Sequence, residues 1–72
     1  MAIEKKIGQR IKQIRTEKKL TQEQLAWEAE LDRTYMNHVE NGRINISVNN
    51  LEKIIKALGT DFNHFFKEFK NK

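Results

Sequence analysis

The sequence contains no cysteine, no proline and only three glycines in 72 residues. Without cysteine there is no disulfide scaffold and no thiolate metal site, a composition compatible with a reducing compartment. Without proline, nothing breaks a helical spacing from within. The opening MAIEKKIGQR carries charges and no continuous apolar stretch, so it reads neither as a signal peptide nor as a membrane span. A cytoplasmic protein with no membrane contact is expected. The two histidines, His38 and His64, lack a carboxylate constellation, and no metal site is expected from them. A nucleophile–base pair, a glycine-rich phosphate loop and a paired-acid cleft are also missing, which argues against an enzyme and against a cofactor. Ser47 and Asp32 are explained more simply as helix caps. At this length the expectation is one domain covering residues 1–72, burying only about 60% of its unfolded surface.

What the chain does have is charge, unevenly placed. The net charge is +4, and residues 1–20 hold seven Lys/Arg against two Glu. Residues 21–31 hold three Glu and no base, and the remainder is close to balanced. An excess of positive charge favours an anionic partner, nucleic acid first, with an ordinary solubilising surface as the alternative.

No segment alternates like a strand, and apolar residues recur at helical spacing instead. Ile3, Ile7, Ile11 and Ile14 form one stripe, which predicts a first helix over about residues 3–18. Thr21 followed by Gln24 is a capping box for a second, with Leu25, Ala26 and Ala29 facing inward. Asp32 is the N-cap candidate for a third helix that stops at Asn41-Gly42. Ser47 caps a fourth, with Leu51, Ile54, Ile55 and Leu58 buried and Gly59 as its stop. Thr60 or Asp61 starts a fifth, DFNHFFKEFK. The expected fold is all-α, five compact helices without repeat or linker.

The second and third helices are joined only by Ala29-Glu30-Leu31, the connection length of a helix-turn-helix over about residues 21–41. LTQEQLAWEAELDRTYMNHVENGRINISVNNLEKIIKALG resembles the phage-repressor and Cro-like (XRE-type) helix-turn-helix family, over essentially the whole chain. LDRTY and the short length are similar to the controller proteins of restriction–modification systems. The resemblance implies a lambda-repressor-like DNA-binding domain and a prokaryotic or phage, nucleoid-associated regulator. One position departs from it: Glu30 stands where the family commonly has glycine. If that turn needs a left-handed residue, glutamate costs roughly 1–2 kcal/mol.

With Arg33 at zero on a wheel of about 100° per residue, Asn37, Thr34 and His38 fall at about 40°, 100° and 140°. They form one polar sector, while Tyr35, Met36 and Val39 lie opposite. Side chains early in a groove-bound helix reach base edges. Arg33 has the planar fork that bonds guanine O6 and N7, worth about 1–3 kcal/mol of discrimination. Thr34 offers a hydroxyl and a methyl, Asn37 suits adenine or a phosphate, and His38 suits either. The resemblance implies that these four positions read bases. Backbone phosphates are expected at Gln22, where the start of a helix attracts anions. They are also expected at the Tyr35 hydroxyl and along the loop through Asn41, the Gly42 amide, Arg43, Asn45 and Ser47, with Asn49 beyond it. The resemblance also pairs Arg15 with Glu40 as a structural ion pair.

Phe62, Phe65, Phe66 and Phe69 recur at i, i+3, i+4 and i+7, and core packing accounts for the first three. Phe69, with Ile55 and Phe65, is assigned to a two-fold dimer interface. A homodimer would present two reading helices about 34–36 Å apart to a palindromic operator. Trp27 sits among Glu23, Glu28 and Glu30, on the surface that activators of this family turn to RNA polymerase; the plainer reading is that it covers a neighbour. The expected function is therefore transcriptional regulation through double-stranded DNA. The alternatives are an antitoxin that also masks a toxin, or a protein-interaction module on the same fold.

Overall fold

A computed structural model describes residues 2–67 and 69. Among them five helices and no strand occur: α1 (Ile3–Glu17), α2 (Gln22–Ala29), α3 (Arg33–Glu40), α4 (Val48–Ala57) and α5 (Phe62–Phe65). α1 packs on α3, α2 on both α3 and α4, and α4 on α5. One hydrophobic cluster draws on all five, from Ile11 and Ile14 through Leu25, Met36, Val39, Ile54 and Leu58 to Phe65. Each large side chain buried there contributes about 1.5–3 kcal/mol.

Local chemistry sets where the helices begin. Thr21 Oγ1 accepts from Gln24 N–H while Gln24 Oε1 accepts from Thr21 N–H, a reciprocal capping box. Asp32, Ser47 and Asp61 each accept from the backbone N–H three residues on.

The ends share one closure. After α1, α2, α3 and α4 the chain turns through a left-handed residue: Lys19 (φ 60°), Glu30 (φ 59°), Gly42 (φ 69°) and Gly59 (φ 72°). Each turn returns two backbone N–H groups to carbonyls of the helix just ended, such as Leu31 N–H to Ala26 O at 2.9 Å and Arg43 N–H to His38 O at 3.0 Å. Glu30 therefore adopts the strained conformation that its place in the turn demands, and Lys19 does the same without forewarning.

Two expectations about packing are corrected. Ile3 does not continue the buried isoleucine stripe; it is 53% exposed, because α1 projects its first turn past the core. Phe62 is 41% exposed rather than core, because α5 is a single turn whose buried position is taken by Phe65. The expected fifth helix through Lys70 reaches residues 68 and 70, which lie outside the described residues.

Candidate nucleic-acid interface

α3 is eight residues long, capped by Asp32 and seated on Met36, Val39 and Glu40. Its first turn presents Arg33 and Thr34, both exposed. Among the described residues neither side chain hydrogen-bonds to the protein, so both are available to a ligand. Asn37 and His38 lie further along the same sector but are half-buried. Asn37 Nδ2 donates to Gln22 Oε1 at 3.2 Å, and Asn41 Nδ2 donates to Asn37 Oδ1 at 3.2 Å. His38 Nδ1 is buried without a partner among the described residues. The polar sector is thus graded, free at its start and increasingly held toward its end.

The holding runs back to one buried carboxylate. Glu40 Oε2 accepts from Arg15 Nε at 2.7 Å, and Oε1 accepts from Arg15 Nη2 at 3.1 Å and Gln22 Nε2 at 3.0 Å. The Glu40 side chain is 1% exposed and that of Arg15 12%. Arg15 Nη1 also donates to Leu20 O, closing the end of α1. This network joins α1, α2 and α3 beneath the exposed face, so Gln22 serves first as a strut between Glu40 and Asn37. Its backbone N–H stands at the first position of α2, the end of a helix that favours an anion.

The loop after α3 sorts its residues by alternation. Ile44 and Ile46 pack toward the core, while Arg43, Asn45 and Ser47 are exposed between them. Ser47 Oγ accepts its cap bond yet keeps a hydroxyl hydrogen to donate. Asn49 is exposed on the first turn of α4. Tyr35 is half-buried, and its hydroxyl accepts from Asn50 Nδ2 at 3.0 Å, leaving its own hydrogen for an outside acceptor.

Three assignments change. The Gly42 amide cannot serve a phosphate, because it donates to Val39 O at 3.1 Å as part of the helix stop. The Asn41 amide is likewise turned inward, onto Asn37 O at 3.0 Å and Asn37 Oδ1. Ile55 (2% exposed) and Phe65 (0%) are core residues of the protomer and have no surface to offer a dimer partner. Phe69, half-buried, stacks edge-on against Phe66 with centroids 4.9 Å apart.

Other contributors were not singled out from the sequence. Gly8 lets α1 cross the end of α3: a Cβ there would lie 2.5 Å from both Val39 O and Glu40 O. Its signal was an isolated glycine inside a helical pattern. Arg10, 9% exposed, donates from Nε to Phe65 O and from Nη2 to His64 O, each at 2.7 Å. It caps α5 as a cation at a helix C-terminus, a role no local pattern announces.

The helix-turn-helix family pattern matches residues 11–65, which contain the face, its network and the loop. The control protein C.BamHI of Bacillus amyloliquefaciens is 51% identical over 53 residues, 72% of this chain and 65% of that protein. The chain thus spans just under two thirds of that relative. The crystal structure of the restriction–modification controller protein C.AhdI from Aeromonas hydrophila superposes with TM-score 0.86 at 41% identity, covering 92% of this chain and all of that one. The controller C.Esp1396I, solved bound to a 25 base pair operator site, matches with TM-score 0.87 at 39% identity, over 93% of this chain and 88% of that one. The same controller is also known as a tetramer in complex with its natural 35 base-pair operator. By sequence pattern and by structure, the chain belongs to the helix-turn-helix family and, within it, to the restriction–modification controller proteins.

Proposed function

We propose that this protein is a sequence-specific DNA-binding transcriptional regulator that binds a palindromic operator as a homodimer. The observation that carries the reading is the first turn of α3, where Arg33 and Thr34 stand exposed on a helix anchored by the Arg15–Glu40–Gln22 network. A rigid support under free hydrogen-bonding groups is what base recognition requires, since a misplaced donor loses its geometry. The C.Esp1396I–operator complex supports it by kinship. Arg33 reads guanine, Thr34 an adjacent base, and Asn37 and His38 contact the duplex within the limits their partial burial sets. Arg43, Asn45, Ser47, Asn49 and the Tyr35 hydroxyl take phosphates that fix position without reading sequence.

A binding selection from random DNA, repeated with Arg33→Ala, tests this reading. The parent should yield a two-fold symmetric consensus, and the variant should lose preference at one guanine in each half-site. An unchanged consensus would remove Arg33 from the reading face. A protein-interaction module on the same fold would instead lack the steep fall of log affinity with log salt that phosphate contacts cause.

The proposed setting is the cytoplasm of a bacterial host, with regulation rather than catalysis as the activity. Among the described residues no helix is long and apolar enough to cross a membrane. Trp27, 79% exposed, borders a groove of about 550 Å³ with Leu20, Glu23, Glu28 and Ala57. RNA polymerase is the proposed partner there when the protein activates. Trp27→Ala should then abolish activation in transcription in vitro while leaving operator affinity intact; equal activation would remove the contact.

A further inference from the structure

Beside the end of α3 lies a second cleft, of about 280 Å³, lined by Lys5, Gln9, Lys12, Glu40 and Asn41. Lys5, Gln9 and Lys12 recur at i, i+4 and i+7, within about 60° on a wheel of 100° per residue. All three are exposed, and among the described residues neither lysine has an ion-pair partner. The carboxylate in the wall does not cancel them, because both Glu40 oxygens are already held by Arg15 and Gln22. Asn41 joins the cleft to the reading face, since its amide is bonded to Asn37. Close backbone contact fixes the spacing: a Cβ on Gly42 would lie 2.9 Å from Lys5 Cα and 2.6 Å from Lys5 Cγ.

We infer that this cleft holds a backbone phosphate of the duplex that α3 reads, carrying the footprint onto α1. The inference rests on the DNA reading above and adds a contact surface outside the helix-turn-helix itself. Lys5, Lys12 and Gln9 line one concave site, two ammonium groups and a primary amide that make a donor set suited to a phosphate oxygen pair. The one carboxylate in the lining, Glu40, is already paired with Arg15. Such a contact is blind to base identity, so it strengthens binding to any duplex and fixes how far α1 stands from the backbone.

The test compares two double variants of equal charge loss. Lys5→Gln/Lys12→Gln removes the cleft cations and keeps the Lys5 Cγ that lies against Gly42. Lys53→Gln/Lys56→Gln removes two cations from α4, which border Glu28 and Glu30 instead. Affinity is measured for the selected operator and for an unrelated duplex across a salt series. The cleft variant should weaken on both duplexes by a similar factor, and its slope of log affinity against log salt should be shallower by about 0.9, one phosphate's worth. The α4 variant should keep the parental slope. A parental slope in the cleft variant, or an equal change in both variants, overturns the inference. If Arg33→Ala still loses its guanine preference in that case, the DNA reading stands and only the cleft assignment falls. A parent that binds no duplex removes both.

Discussion

Glu40 and Gly8 meet at the same spot and make opposite demands on substitution. Glu40 is a buried acid whose oxygens are satisfied, among the described residues, by Arg15 and Gln22 alone. Such a pair need not add net stability, but removing one member strands the other, at roughly 3–5 kcal/mol. Glu40→Ala should therefore lower the urea midpoint sharply and weaken operator binding mainly by loosening the domain. Equal melting temperatures for variant and parent would defeat that view. Gly8 is the subtler case. In an exposed helix interior, alanine would be better than glycine by about 0.8–1.0 kcal/mol. Here its Cβ would press on the carbonyls of Val39 and Glu40 at 2.5 Å, and neither backbone atom can rotate away. The clash outweighs propensity, so Gly8→Ala should lower the melting temperature and reduce operator affinity by displacing the end of α3. A more stable Gly8→Ala protein would mean that α1 and α3 do not meet as closely as described.

At the level of helices, the repeated left-handed stop offers a direct comparison. Gly42 and Gly59 adopt it without a side-chain penalty, whereas Lys19 and Glu30 carry a Cβ into the same region. The strain is about 1–2 kcal/mol per non-glycine residue, partly offset by the extra freedom glycine has when unfolded. Glu30→Gly should thus gain about 1 kcal/mol and raise the melting temperature by roughly 4–8 °C, as expected for a domain of this size. Lys19→Gly should do likewise, and the two gains should add, since the residues end different helices. Thermal melts of the two single variants and the double decide it; an unchanged Glu30→Gly midpoint would place no strain there. The same turns mark what can be read from sequence. Thr21, Asp32 and Ser47 are legible because a cap bonds three residues onward, within a window that sequence displays directly. Glu30 is legible through its contrast with the family's glycine, whereas Lys19 carries no such contrast. Arg33 and Thr34 follow from helical periodicity, but the engagement of Asn37 with Gln22 depends on how α2 meets α3. Arg10 is further from view, because its acceptors at His64 and Phe65 lie 54 and 55 residues away. Ile55 and Phe65 show the same limit in reverse: periodicity marks them apolar but does not distinguish a core from an interface.

For the whole molecule, reading length is the constraint. α3 has eight residues, a rod of about 12 Å at 1.5 Å per residue. Such a rod runs along only about four base steps at roughly 3.4 Å each. The protein measures 35 × 23 × 21 Å, and its described residues hold one helix in the reading position of a helix-turn-helix. A single copy therefore cannot enter two major grooves about 34–36 Å apart, and a second must supply the other helix. The joining surface proposed for them is at α5, where Phe62 is 41% exposed and Phe66 and Phe69 are half-buried beside it. A four-residue helix is too short to persist alone; here Arg10 ties its carbonyl end to α1. Two variants separate the surface from its support. Phe62→Ser, at the most exposed of these rings, should weaken dimerisation tenfold or more, about 1.4 kcal/mol per tenfold, with a smaller drop in melting temperature than Arg10→Met. Arg10→Met strands the Phe65 carbonyl, at roughly 1–3 kcal/mol, so it should weaken dimerisation and lower the melting temperature together. Sedimentation across a concentration series, beside thermal melts, measures both. If the parent stays monomeric at high concentration, with and without operator DNA, the two-copy arrangement fails. If Arg10→Met dimerises like the parent, α5 does not form the joining surface.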